Sequence, residues 1–128
     1  MSKVKLTPVH IRYLLVMNKL RQQEKDLRVS AIAKETKLSK TSAHVMLRHF
    51  AEVGLVTQDY YRAAFFTPLG EELSEKMAAN YVIVEKWLKK SFPLAEDVEM
   101  AACSLLAHIA DEAMDEFIER KAPKKKAK

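Results

Sequence analysis

Residues 39–48 place small hydroxyl side chains first and cationic side chains later along one face of a predicted helix. The members of that face are Ser39, Lys40, Thr41, Ser42, His44 and Arg48. Hydroxyl, imidazole and guanidinium groups donate hydrogen bonds to phosphate oxygens and to acceptors on the edges of bases. A helix with such a face can enter the major groove of a DNA duplex with its N-terminal end near the bases. The alternative is an ordinary solvated helix face.

Two short helices joined by a tight turn would hold this face in place. Ser30 is expected to cap a helix that ends at Thr36, and Ser39 to cap a second helix that ends at Gly54. The apolar residues that recur on the inner side of these helices are Ile32, Ala33, Ala43, Met46, Leu47 and Phe50. Two helices joined in this way form a helix-turn-helix.

A helix is predicted before this unit and a β-hairpin after it. Thr7 is the expected N-cap of the first helix, which starts at Pro8 and runs to about Gln22. Residues 55–57 and 63–66 have β-type side chains on either side of a polar and aromatic stretch. This pattern predicts a hairpin, or wing, next to the helix-turn-helix.

The hairpin tip and the segment before the helix-turn-helix add candidate DNA contacts. Tyr61 and Arg62 lie at the tip, where a phenol and a guanidinium can reach the minor groove or its phosphates. Tyrosines at this place can instead cover the hairpin's own core. Arg28 and Lys40 are candidate phosphate contacts.

The charge distribution agrees with a polyanionic partner for the N-terminal half. Residues 1–66 contain 12 Lys and Arg against 5 Asp and Glu, a net charge of +7. Residues 67–120 contain 5 against 12, a net charge of −7, and residues 121–128 add five Lys. Clustered cations are what contacts to DNA phosphates require. Uneven charge on solvated surfaces is the alternative explanation.

A long helix is predicted after the hairpin, because Thr67 is an N-cap type, Pro68 suits a first turn and Pro93 ends the pattern. Its apolar stripe steps mostly by four residues and consists of Leu69, Leu73, Met77, Tyr81, Val84 and Leu88. Residues 95–119 are also predicted to be helical, with a break near residues 108–111.

These C-terminal helices hold more apolar residues than a winged helix alone could cover. The candidates for a homodimer interface are Trp87, Leu88, Phe92, Leu105, Leu106, Phe117 and Ile118. Such a dimer would present two recognition helices to two half-sites on the DNA. Alternatively, the helices only fold back on their own domain.

The predicted fold class is mainly α: a winged helix-turn-helix with a long linking helix and a C-terminal helical dimerisation region. The DNA-binding domain is assigned to residues 1–66, the dimerisation domain to residues 67–120 and a disordered basic tail to residues 121–128. The tail either adds nonspecific affinity for DNA or only improves solubility.

Several function classes find no support in the sequence. No apolar run has the roughly 20 residues of a membrane span, and no signal-type block follows the first residues, so we expect a cytoplasmic protein without membrane contact. Cys103 is the only cysteine, so an internal disulfide is excluded. One cysteine also cannot supply the four ligands of a zinc finger by itself. Because Gly-rich phosphate loops, nucleophile elbows and metalloprotease helices are missing, no enzymatic activity is predicted.

Four segments carry a resemblance to a known family. They are Arg28-Val29-Ser30-x-Ile32-Ala33, Gly54-Leu55-Val56, Phe66-Thr67-Pro68-Leu69-Gly70 and the stretch from Ala102-Cys103 to Ala110-Asp111-Glu112. Over residues 8–119 the sequence resembles the diphtheria-toxin-repressor and manganese-repressor (DtxR/MntR) family of metal-responsive bacterial transcription repressors. The resemblance implies a homodimer that binds a palindromic operator in double-stranded DNA when it is loaded with Mn²⁺ or Fe²⁺.

Most of the ligand positions that the resemblance implies hold other residue types in this chain. The first helix has Val9 or His10 where the family has a carboxylate or Met, and the long helix has Tyr81 where the family has a His. The next helix has Leu106 and Ala107 where the family has a Glu and a His. Leu and Ala cannot coordinate a metal, so the family's usual site cannot form.

Three residues of ligand type remain at the positions that the resemblance implies. Cys103 matches a ligand of the main site, and Glu85 and Glu99 match ligands of a second site in some members. Two carboxylates alone are a poor metal site. No metal site and no cofactor are therefore predicted, with Mn²⁺ or Fe²⁺ as the alternative.

The function predicted is a DNA-binding transcriptional regulator, specifically a repressor, that acts as a homodimer. Three alternatives remain open. One is a Mn²⁺ or Fe²⁺ sensor with rearranged ligands such as His10, Glu99 and Cys103. Another is a regulator that senses an organic ligand or thiol oxidation, with an apolar pocket between the long helix and the winged domain. The third is a winged-helix protein-interaction module that does not bind DNA.

Overall fold

The computed structural model of the chain describes residues 5–58 and 63–122. Its helices are α1 (Pro8–Gln22), α2 (Val29–Thr36), α3 (Lys40–Glu52), α4 (Pro68–Ser91), α5 (Val98–His108) and α6 (Asp111–Lys121). Its strands are β1 (Leu27–Arg28), β2 (Val56–Gln58) and β3 (Ala63–Phe66). The predicted fold class is confirmed: a winged helix-turn-helix is followed by a long helix and further helices. Within the described residues, no helix is both long enough and apolar enough to cross a membrane.

Helix α1 begins where the sequence predicts, at a capping box. The Thr7 hydroxyl accepts a hydrogen bond from the His10 N–H (3.2 Å), and Nδ1 of His10 accepts one from the Thr7 N–H (3.1 Å). Pro8 occupies the first turn, where the N–H that it lacks would have no helical partner. The helix ends at Gln22, and Glu24 adopts a φ of 58°, which turns the chain toward β1.

The predicted start of α2 is wrong by two residues. Ser30 does not cap this helix, because α2 already begins at Val29 and Arg28 is its N-cap, without a side-chain hydrogen bond. The reason is that Leu27 and Arg28 pair with β3 as strand β1, so the extended backbone ends at Arg28 and the helix follows at once.

The turn and the start of α3 agree with the prediction. Lys37, with a φ of 63°, ends α2 in the left-handed conformation. The hydroxyl of Ser39 then caps α3 by accepting a hydrogen bond from the Ser42 N–H at 3.0 Å. The short turn between α2 and α3 completes the helix-turn-helix.

The wing is an antiparallel sheet of three strands in the order β1-β3-β2. Val56 lies opposite Phe66, and Leu27 lies opposite Ala64. Gly54 has a φ of 85°, a conformation that favours glycine, and it turns the chain from α3 toward β2. The hairpin is confirmed, and its tip at residues 59–62 lies outside the described residues.

Helix α4 starts at the predicted Thr67 cap and buries most of the predicted stripe: Met77, Val84 and Leu88 are buried, and Leu73 and Tyr81 are half-buried. The stripe is wrong at Leu69, which is 48% exposed. Each step of four residues overshoots a full turn by about 40°, so the stripe drifts by about 120° between Leu69 and Tyr81. The face that is buried consists of Gly70, Ser74, Met77, Asn80, Val84 and Leu88.

Buried side chains form two clusters, and α1 contributes to both. In the winged-helix core, α1 supplies Tyr13, Leu14, Met17 and Leu20. In the rear core, which joins α4, α5 and α6, the members are Ile11, Met77, Val84, Leu88, Ala102, Cys103, Leu106 and Met114. The predicted break between α5 and α6 is confirmed at residues 109–110. The assignment of residues 1–66 and 67–120 to separate domains stays a prediction.

Gly70→Ala is expected to lower the free energy of unfolding by at least about 2 kcal/mol, because overpacking against backbone is poorly relieved. A Cβ at this position would collide with the carbonyl oxygen of Leu55. Urea unfolding followed by circular dichroism measures the loss. In the control variant Gly54→Ala the Cβ meets nothing within 4 Å, and only the positive φ costs about 1 kcal/mol. Equal losses in the two variants would contradict this account.

Candidate nucleic-acid interface

Helix α3 and its cap present the predicted DNA-contacting side chains to solvent. All six are exposed: Ser39, Lys40, Thr41, Ser42, His44 and Arg48. The hydroxyl oxygens of Ser39 and Ser42 lie 3.0 Å apart at the start of the helix. The arrangement therefore combines hydroxyl groups at the N-terminal end with cations along the outer side, where an external ligand can reach both.

The inner side of α3 is fixed against the winged-helix core. Ala43, Leu47 and Phe50 are fully buried or nearly so. Because buried and exposed positions follow the helical period, the outer face cannot rotate inward without exposing Phe50 and Leu47 to water. The hydrophobic effect therefore sets the orientation of the polar face.

Two histidines join α1 to the last turn of α3. The rings of His10 and His49 stack with their centroids 4.6 Å apart and their planes at 24°. Burial, and secondly the neighbouring His49, lower the pKa of His10 below its usual value. Nε2 of His49 is buried and has no hydrogen-bond partner within residues 5–58 and 63–122. The neutral form of His10 is therefore the one that fits this contact.

The other predicted DNA contacts have different outcomes. Arg28 is exposed at the end of β1, with its Nε 3.5 Å from Oδ2 of Asp26. An ion pair between two exposed groups is weak, so this guanidinium can exchange its partner for a phosphate. Tyr61 and Arg62 fall in the segment that the structure does not describe.

One further residue, which the sequence pattern did not predict, belongs to the outer face of α3. Val45 is 57% exposed. It lies three or four residues from Thr41, Ser42 and Arg48, so it shares their side of the helix. Valine is a residue type that usually lies in the core. Only its spacing of two residues from the buried Ala43 and Leu47 could have indicated that it lies on the opposite side of the helix.

The residues predicted for a dimer interface divide into three groups by exposure. Leu88 and Leu106 are each 7% exposed and belong to the rear core. Trp87, Leu105, Phe117 and Ile118 are half-buried and pack against that core. Phe92 is 54% exposed, and its ring meets the Trp87 ring edge-on at 6.1 Å. A homodimer interface that includes these residues stays a prediction.

An apolar hollow opens beside Phe92, between the end of α4 and α5. Its volume is about 570 Å³, and its lining includes Leu88, Pro93, Leu94 and Val98. Leu94 is 92% exposed. A hollow with exposed apolar side chains at its edge is typical of a surface that another molecule covers.

A polar cluster lies where the resemblance implies a metal. Nε of Arg12 is 3.6 Å from Oε2 of Glu99, and Nη2 of Arg12 donates to the carbonyl oxygen of Thr36 at 3.1 Å. On α4, the Tyr81 hydroxyl lies 3.2 Å from Oε2 of Glu85. Arg12 therefore connects α5 with the end of α2 through the middle of α1.

Ionisation in this cluster is unfavourable for the groups that would have to become anionic ligands. Burial, and secondly Glu99, raise the pKa of the Cys103 thiol to about 11. Burial and the charge of Glu85 raise the pKa of Tyr81 well above its usual value of 10. Both side chains are therefore protonated and neutral near pH 7.

The residues at this place do not fit Mn²⁺ or Fe²⁺. Leu106 and Ala107 have no donor atoms, and the guanidinium of Arg12 already lies beside Glu99. His10 is turned toward His49, so His10, Glu99 and Cys103 do not converge on one point. Within residues 5–58 and 63–122, no three His, Cys, Asp or Glu side chains are grouped so that they could hold a metal ion.

Comparison with known protein families agrees with the geometry of the N-terminal half. Residues 11–60 match the model of the IclR helix-turn-helix domain. This segment runs from α1 through α2 and α3 into the wing. Among curated proteins, none matches the chain.

Several solved structures share the fold of the chain. IdeR of T. acidophilum has 16% identity and a TM-score of 0.65, over 94% of this chain and 55% of that one. The manganese regulator SloR has 19% identity and a TM-score of 0.67, over 89% and 55%. The metal-dependent transcriptional regulator MtsR has 17% identity and a TM-score of 0.72, over 90% and 54%. The present chain thus spans about half the length of each of these three.

Identities below 20% establish the fold, so the resemblance to the DtxR/MntR family in particular stays a prediction. The helix-turn-helix match over residues 11–60 and the shared architecture agree on a winged helix-turn-helix fold.

Proposed function

We propose that this protein is a transcriptional repressor that binds a palindromic DNA operator as a homodimer and does so without a bound metal. The observation that carries the proposal is the exposed face of α3, where hydroxyl groups and cations lie on a helix whose other side is buried. Such a helix end can place donors against base edges while its cap holds a phosphate.

The charge distribution supports one direction of approach to the DNA. The half that contains α3 and the wing has a net charge of +7, and residues 67–120 have a net charge of −7. Phosphates attract the first half and repel the second. The duplex therefore meets the outer face of α3 rather than the helices at the rear.

The apolar surface at the rear supports the homodimer. Phe92 and Leu94 are exposed beside the hollow at the end of α4, and the half-buried Trp87 and Phe117 lie edge-on to each other at 5.5 Å. Covering this surface with a second copy removes apolar area from water. A two-fold dimer then presents two copies of α3 to two half-sites.

The position of Arg12 supports binding that does not require a metal. Its guanidinium interacts with both Glu99 and the carbonyl oxygen of Thr36. A divalent cation placed here would meet a fixed positive charge and lack donors at Leu106 and Ala107. We infer that Arg12 provides the positive charge that joins α1, α2 and α5.

Lys40→Ala and Arg48→Ala are each expected to weaken operator binding by about 1 to 3 kcal/mol if the side chain contacts a base. The operator is first selected from a random duplex library, and fluorescence anisotropy then measures affinity at moderate salt. Lys86→Ala removes an exposed lysine of α4 and serves as the control with unchanged affinity. Unchanged affinity in both test variants would exclude this face, and no binding to any duplex would favour a protein-interaction module.

Leu94→Glu is expected to convert the homodimer to a monomer and to weaken binding to the two-half-site operator by about a hundredfold, because the second half-site is lost. Leu94 is 92% exposed, so the folded protomer should survive the change. Light scattering after size-exclusion chromatography measures the mass. Val82→Glu, at a position that is 62% exposed on α4, is the matched control and should remain dimeric. A monomeric wild type would refute the proposed assembly.

Operator affinity is expected to agree within about twofold in EDTA, in Mn²⁺ and in anaerobic Fe²⁺, because the site lacks donors for either ion. Anisotropy titrations of the full chain measure it, and a thermal shift with each ion gives a second readout. A gain in affinity of about tenfold or more with Mn²⁺ or Fe²⁺ would favour the sensor with rearranged ligands instead.

A further inference from the structure

An apolar side chain lies in the middle of the otherwise polar outer face of α3. Val45 is 57% exposed, whereas its neighbours along the chain, Met46 and Leu47, pack in or against the winged-helix core. Val45 itself is not part of either hydrophobic cluster. Its two methyl groups therefore add little to the stability of the isolated chain.

Exposure alone does not distinguish Val45, since isolated apolar residues are common on protein surfaces. Its surroundings do. Positions 41, 42 and 48 lie on the same side of the helix, one turn before and one turn after Val45. Those positions hold Thr41, Ser42 and Arg48, all exposed. Any duplex that these three side chains contact therefore also meets the methyl groups of Val45.

Base edges in the major groove offer a valine only one suitable contact. Each base pair presents hydrogen-bond donors and acceptors there, and the C5-methyl group of thymine is the apolar exception. A valine placed against a G·C pair would cover polar atoms without replacing their hydrogen bonds to water, which costs free energy. The side chain thus favours an A·T or T·A pair at the position that it covers.

We propose that Val45 is a specificity-determining residue that contacts the C5-methyl group of a thymine in each operator half-site. This inference rests on the proposed function, because it requires α3 to lie in the major groove. In this arrangement Val45 contacts the thymine methyl group, and Thr41, Ser42 and Arg48 form hydrogen bonds with the DNA around that contact. The operator is therefore expected to contain an invariant A·T or T·A pair at one position within each half-site.

The test removes the methyl group from the DNA and the methyl groups from the protein separately. After selection of the operator from a random duplex library, each thymine of the half-sites is replaced symmetrically by deoxyuridine, which lacks only the C5-methyl group. For the wild-type chain, the replacement at one position is expected to weaken binding by about three- to fivefold per half-site. For Val45→Ala, the same replacement is expected to change the affinity less than about 1.5-fold, since the two Cγ methyl groups that pack on the thymine methyl are gone and the Cβ of alanine is farther from the base.

Two further variants test whether the deoxyuridine effect depends on the methyl groups of Val45 in particular. Val45→Thr keeps the branched shape and one methyl group, and it should retain part of the deoxyuridine effect. Val82→Ala makes the same truncation at an exposed valine of α4, and it should show the full wild-type effect. Circular dichroism confirms that each variant is folded.

Each result decides between named outcomes. Loss of the deoxyuridine effect in Val45→Ala alone supports the proposal. An equal effect in wild type and Val45→Ala, no effect at any thymine, or selected half-sites without a conserved A·T pair would overturn it while leaving DNA binding intact. Failure to select any duplex would instead overturn the proposed function, so the two failures are distinguishable.

Discussion

The structure depends on one helix that is buried on two sides. Leu14 and Met17 of α1 face the winged-helix core, and Ile11 faces α4, α5 and α6. An amphipathic surface helix needs only one apolar stripe, whereas α1 has two, so it is largely withdrawn from water. The orientation of the polar face of α3 relative to the rear helices is therefore set by direct packing rather than by a linker. A polar contact between Asn18 and Ser74, whose side chains are 3.4 Å apart and buried, adds a directional constraint between α1 and α4.

The central position of α1 also allows one of its side chains, Arg12, to contact elements of both halves of the chain. Arg12 projects from the middle of α1, where it meets Glu99 of α5 and the carbonyl oxygen at the end of α2. Arg12 thus links α5 to the end of α2 through side-chain contacts rather than through the backbone. Structurally similar proteins include one described as a manganese regulator and one described as a metal-dependent transcriptional regulator. In the present chain, Tyr81 and Cys103 lie in the same cluster, and their raised pKa values keep both side chains neutral near pH 7.

The sequence predicted correctly those helix ends and turns that depend only on residues close together in the chain. Side-chain chemistry within a few residues determines the N-caps at Thr7, Ser39 and Thr67. It also determines the positive φ at Gly54 and the break between α5 and α6. Errors arose where a distant partner decided the outcome. The start of α2 depends on pairing with β3. The first turn of α4 buries Gly70 rather than Leu69 because Gly70 lies against the backbone of Leu55, and the sequence pattern contains neither contact. Likewise, the six polar residues of α3 and its N-cap were predictable from their type, whereas the exposure of Val45 depends on which side of the helix faces outward.

The stacked histidines at the end of α3 couple the placement of that helix to acidity. Protonation of His10 would put a positive charge in a partly buried space beside His49, and the lowered pKa of His10 expresses this cost. The stabilisation from neutral His10 is present above the usual imidazole pKa of about 6.5 and is lost as the pH falls through the lowered value. Acidification thus weakens the contact between α1 and α3 from inside the molecule. The imidazole that accepts the Thr7 N–H hydrogen bond at the start of α1 therefore also makes the support of α3 sensitive to acid.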